Sequence, residues 1–247
     1  MRYPAEIRTL ALALGRAKKR NNAIAAVLSG VFPGLILGVC FSIGWQRWLI
    51  GLAIGLLWGN AFEYAYHRWL LHWPQSSFGK GHLLHHRTLG SPEEPEHVTF
   101  GDSPLRVTAL FWSNGIPLVI VDRWLGLGVS PGIMTAWTFY LIAVEEIHWR
   151  IHLGGWLPPG LNAAREYHLA HHDISDGRFN VFFPLFDYLF GNIRPPMNEI
   201  VLPPAAQLPF NPGMASWLAA ARGTILYLWL VVLAIDYQLF RGFKYKP

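Results

Sequence analysis

The 247-residue chain is 52% hydrophobic and only 14% charged, against roughly 25% charge in an average soluble domain, so it lacks the polar side chains to cover a globular surface; disorder, a coiled coil and an ordinary cytosolic enzyme are excluded. Twelve Trp, nine Tyr and fifteen Phe fit a membrane interface, where amphipathic rings collect. The single cysteine, Cys40, excludes a disulfide framework, a thiolate zinc site and an iron–sulfur cluster.

The net charge of +5 is unevenly spread. Residues 1–22 hold Arg2, Arg8, Arg16, Lys18, Lys19 and Arg20 against one acid, Glu6. They are expected to form a basic, partly amphipathic arm on anionic lipid. Nucleic acid is not expected as a partner, because no folded reader module follows. The apolar run starts too late and runs too long for a cleaved signal peptide. Residues 23–45 carry no charge and suffice to cross a bilayer. After Gln46 and Arg47, residues 48–66 return, which completes a first hairpin over 23–66. A polar histidine region covers 67–103. Residues 105–121 and 125–147 form a second apolar pair within 104–147, its first member short enough to dip without crossing. A second histidine region covers 148–214. Residues 215–247 carry a last apolar run, 224–235, expected to be interfacial or inserted. The predicted fold is an all-α integral membrane protein: the arm, then one membrane domain over 23–247, in which two transmembrane helical hairpins are capped by the histidine regions. Basic residues favour the cytoplasmic side. Both histidine regions are therefore expected to face the cytoplasm, at a bacterial inner membrane or the endoplasmic reticulum.

Ten of the eleven histidines fall into four boxes: His67 and His72; His82, His85 and His86; His148 and His152; His168, His171 and His172. His97 stands alone and is read as a solvated loop residue. On a helix, positions i, i+3 and i+4 share one face, so the second, third and fourth boxes each project to one side. The first box, at i, i+5, diverges by about 140° and is expected to serve two different ions. Ten imidazoles exceed what one metal takes, whereas two metals with four or five nitrogens each and an open position fit. A haem held between paired spans fits less well, because the boxes sit at the ends of the apolar runs. All-nitrogen ligation suits iron, zinc, copper or nickel. Zinc has no redox chemistry, so two iron ions acting on O₂ are the expected cofactors, with zinc a substitute in purified protein. Glu63 and Glu145 each lie one turn before a box histidine. They are candidates to accept the other ring N–H of His67 and His148; the alternative is that they are polar helix ends.

The order HRxxxH, HxxHH, HxxxH and Tyr167-His-Leu-Ala-His-His172, running from about Glu63 to Asn192, resembles the fatty acid hydroxylase/sterol desaturase superfamily of membrane di-iron oxygenases. The segment from Gly177 to Gly191 is similar to that family's closing segment. Glu63-Tyr64 followed by HRxLLH is most similar in form to the fatty acid 2-hydroxylases. Phe186 stands where the family commonly has Trp, and Asn192 replaces its usual small hydroxyl residue. The resemblance implies an O₂-dependent hydroxylase of a fatty acyl or related lipid C–H bond, with the ten box histidines as iron ligands. Gly126-Leu-Gly128 is a turn and not a nucleotide loop. Electrons are therefore expected from a partner, a ferredoxin or a b-type cytochrome with its reductase. Two alternatives stay open: desaturation of a lipid or sterol at the same site, and a non-enzymatic membrane metal-binding protein.

Overall fold

The structure, a computed structural model, describes residues 3–193. The expected apolar run at 224–235 and the end of the second histidine region lie outside the described residues. Every regular element among the described residues is helical.

Helix α1 (Pro4–Ala26) opens with proline at its start and Glu6 in its first turn, both suited to a helix N-terminus. It continues through a π-helical turn, Val27–Val31, into α2 (Phe32–Cys40). The result is one helix of 37 residues, Pro4–Cys40. Residues 4–22 of the basic segment are therefore the first part of this helix. No breaker divides it from the apolar run, and the wider π turn precedes Pro33, which has no N–H for the ladder. Lys18 Nζ donates to the Glu96 carbonyl at 3.0 Å, and Lys19 pairs with Glu146 at 2.5 Å. These cations are thus held by protein.

Helix α3 (Trp45–Ala65) runs into a second π turn, Tyr66–Leu71. Helix α4 (Ser77–Arg87) is capped by Ser76, whose Oγ accepts the Gly79 N–H at 2.7 Å. A short α5 (Glu94–His97) precedes α6 (Pro104–Leu125), which ends at Gly126 in the left-handed conformation. The Asp122 carboxylate accepts the N–H groups of Val129 and Ser130 and so ties α6 to α7 (Ser130–Leu153). Helices α8 (Asn162–Asp173) and α9 (Leu185–Phe190) follow.

Among the described residues two helices, Pro4–Cys40 and Pro104–Leu125, are long and apolar enough to cross a membrane. At 22 residues, α6 spans about 33 Å, more than the short first member expected from the sequence. Leu35, Ile36 and Val39 on α2 and Trp112, Ile116 and Ile120 on α6 point outward. Such continuous apolar exposure marks a membrane protein.

Helices α3 and α7 meet along a seam of small residues. Gly51, Gly55 and Gly59 recur every fourth residue of α3, facing Gly132, Ala136 and Tyr140 of α7. A Cβ at Gly51 would collide with the Val129 carbonyl, and one at Gly132 with that of Trp48. Backbones this close require glycine, the small-xxx-small packing of membrane helices. The seam aligns the ends of α3 and α7, and these ends carry the first and third histidine boxes.

Candidate metal centre

The structure brings the ten box histidines into two groups of five. His67, His72, His82, His86 and His171 form one; His85, His148, His152, His168 and His172 form the other. Within each group one ring nitrogen from every residue lies within 4.8 Å of all the others. The groups share a wall where His86 stacks on His172, centroids 4.2 Å apart. His97 belongs to neither group. It is half-buried at the end of α5 instead of lying in a solvated loop.

One expectation about the boxes changes. His67 and His72 were expected to serve different ions, yet they stand in the same group with rings stacked 5.1 Å apart. The cause is the π turn: the His72 N–H donates to the His67 carbonyl at 3.3 Å, a step that brings residues i and i+5 into line. Each HxxHH box, in turn, divides between the groups. From α4, His82 and His86 go to the first group and His85 to the second; from α8, His168 and His172 go to the second and His171 to the first. On a helical face aimed between two sites, i and i+4 lean one way and i+3 the other.

Four of the rings are oriented through Nδ1. The His67 Nδ1–H donates to the Phe179 carbonyl. His148 donates to Val98 at 2.7 Å and His171 to Gly177 at 2.6 Å. His152 donates to the Glu94 carboxylate at 3.0 Å. Glu63 and Glu145 are therefore not the ring partners of His67 and His148. One turn of helix puts each carboxylate on the ligand's face, but backbone carbonyls from distant loops reach Nδ1 first. Both acids are buried and bind loop N–H groups. Glu94, 58 residues from His152, had no local signal in the sequence.

A hydrogen on Nδ1 leaves Nε2 bare and ready to ligate. These bare nitrogens converge: His67 faces His82 at 3.0 Å, His72 faces His171 at 3.0 Å, and His148 faces His168 at 2.9 Å. His82 Nε2 also lies 3.3 Å from His72 and 3.0 Å from His86. One proton there serves one neighbour and leaves the other lone pairs opposed. Buried His85 has no hydrogen bond at either ring nitrogen, a costly state without a compensating partner. Burial pushes the His72 imidazole down to about 4. Burial, with a smaller push from neighbouring imidazoles, brings His86 and His171 to about 3 and holds His82, His85 and His168 well below the usual range. These six rings are thus neutral near pH 7, the form that binds a metal. Crowded, neutral, proton-poor imidazoles fit a cation in each group.

An apolar cleft lies between α3, α6 and α7 beside the centre. Trp58, Phe62, Leu110 and Trp137 line it, and Phe100 and Tyr66 stand at its inner wall. The Phe100 ring meets His67 edge to face at 5.6 Å and His148 at 5.9 Å. One side chain thus separates the cleft from a member of each group.

A helical membrane protein with a buried, all-histidine centre able to hold metal beside an apolar cleft is the class these features define. The fatty acid hydroxylase family model matches residues 52–192, more than half of the chain, and the protein belongs to that family. No curated protein and no solved structure matches the chain. Membership marks an oxidoreductase of the lipid-modifying oxygenase type, and it agrees with the resemblance carried by the histidine boxes.

Proposed function

We propose that the protein is a membrane di-iron hydroxylase that inserts one oxygen atom of O₂ into a C–H bond of a fatty acyl or related lipid chain. The observation that carries this reading is the meeting of two five-histidine groups with an apolar cleft at Phe100. Five imidazoles per group hold one ion each and leave coordination open for a reactant. When bound, the iron pair supplies the redox chemistry of R–H + O₂ + 2e⁻ + 2H⁺ → R–OH + H₂O.

The chain's own residues do the rest. Carbonyls of Phe179, Gly177 and Val98 and the Glu94 carboxylate fix four rings with Nε2 directed inward. Trp58, Phe62, Leu110 and Trp137 accept an acyl chain from the bilayer beside α6 and exclude water from it. Phe100 stops the chain at the centre and sets which carbon lies nearest. α1–α2 with α3, and α6 with α7, make the two hairpins, and the centre faces the cytoplasm. There a ferredoxin, or a b-type cytochrome with its reductase, supplies the electrons.

The test is lipid analysis of cells expressing the protein under ¹⁸O₂, beside cells expressing His85→Ala and His171→Ala. A hydroxylated acyl product carrying one ¹⁸O, absent from both variants, is expected. An unsaturated product without ¹⁸O would replace hydroxylation by desaturation; no change in any lipid would refute the enzymatic reading.

A further inference from the structure

Glu63 and Glu145 hold two backbone straps. Glu63 Oε1 accepts the Val181 N–H at 2.9 Å, and Oε2 accepts the Asn180 side-chain amide at 2.9 Å and the Tyr140 hydroxyl at 2.6 Å. From the other side Asp187 accepts the N–H groups of Phe179 at 2.9 Å and Asn180 at 2.8 Å. The strap 177–181 is gripped at both edges. Its carbonyls at Gly177 and Phe179 flank Arg178, which has φ +61°, a left-handed conformation that a non-glycine residue rarely adopts. Those carbonyls receive His171 and His67, both of the first group.

The other half repeats the arrangement with unrelated residues. Glu145 Oε2 accepts the Phe100 N–H at 3.1 Å; Oε1 accepts the Gly101 N–H at 2.7 Å and the Asn22 amide at 3.1 Å. The strap 94–101 that it closes presents the Glu94 carboxylate to His152 and the Val98 carbonyl to His148, both of the second group.

We propose that Glu63 and Glu145 are positioning residues, each fixing one strap and through it one of the two metal positions, so that the centre is built as two separately held halves. The inference rests on the two-metal reading above. A carboxylate accepts on both oxygens, and here each oxygen faces donors. Glutamine at either position turns one acceptor into an NH₂ group opposed to an N–H or O–H. The strap then shifts, and the carbonyl that aims the ligand ring shifts with it.

Full-length protein in detergent, stripped of metal, is titrated with cobalt(II), whose absorption reports each nitrogen-ligated position. Loss of an outer hydrogen-bond partner weakens a metal site about 10- to 100-fold. Glu63→Gln is expected to weaken one cobalt position by that factor and leave the other at wild-type affinity; Glu145→Gln is expected to weaken the other. In a His85→Ala background, where only the first group remains whole, Glu63→Gln should weaken the surviving position and Glu145→Gln should not. Should Glu63→Gln fail to give monodisperse protein, Asn180→Ala, which removes the strap's side-chain tie to Glu63, carries the same expectation, and Asn22→Ala serves for Glu145. Weakening of both positions together by either change, or of neither, overturns the proposal. Wild-type protein that binds fewer than two cobalt ions overturns the two-metal reading instead.

Discussion

At the scale of single residues, the decisive contacts cross long stretches of chain. Glu94 is the one acid found on a box-histidine ring, through His152 Nδ1 among the described residues. Its second oxygen accepts the Gly90 N–H at 3.1 Å, so both ends of the carboxylate are used. Glu94→Gln replaces the carboxylate that accepts the His152 Nδ1–H and should weaken cobalt binding at the second group about tenfold. His97→Asn, three residues along and outside both groups, should leave the titration unchanged; an equal loss there would redraw the ligand set. Phe100 predicts a different readout. Phe100→Ala deepens the cleft toward His67 and His148 and should move the hydroxyl one or more carbons along the acyl chain. Phe100→Trp should move it the opposite way. Mass spectrometry of the product's hydroxyl position checks both, and an unmoved hydroxyl in the two variants removes Phe100 from substrate placement.

At the scale of elements, spacing identified which helices present histidines, and packing decided how they are shared. The i, i+3, i+4 pattern of His82, His85 and His86 assigns a face to α4, yet only the position of α8 opposite it sends His85 to a different group from its neighbours. The π turn at Tyr66–Leu71 had a trace in the sequence, the odd i, i+5 spacing of His67 and His72. With ideal α geometry assumed, that spacing pointed the wrong way. The glycines of the α3–α7 seam act together in the same manner. A Cβ at Gly55 would lie 2.7 Å from that of Ala136 and 2.8 Å from the Ile133 Cα. Gly55→Leu should therefore cost about 1–3 kcal/mol, seen as a lower midpoint of thermal unfolding in detergent together with lost metal. Gly126→Asn is the control. That residue has φ +67° with open space around it, and asparagine tolerates the left-handed region. An unaltered midpoint in Gly55→Leu would mean that the seam is looser than its backbone distances require.

At the scale of the molecule, the proposed two-hairpin topology, with both histidine regions on one face, predicts sidedness. Lys80 on α4 and Asn162 on α8 are both exposed. With the centre on the cytoplasmic side, Lys80→Cys and Asn162→Cys should both escape an impermeant thiol reagent in intact cells and react after lysis. Labelling of only one in intact cells would break the two-hairpin topology. The amino-acid sequence by itself determined the helical membrane class, the ten histidines and the family, because apolar run length and helical periodicity are local properties of a covalent chain. The tertiary structure alone decided the rest. The basic N-terminal residues became part of a continuous helix whose Asn22 touches Glu145. The two acids took hold of the straps 177–181 and 94–101 instead of rings. Ten equivalent imidazoles separated into two groups of five. Each outcome depends on which distant backbone carbonyl or N–H reaches a buried polar atom first. Burial penalises a polar atom left without a partner, but only the packed fold determines which partner is within reach.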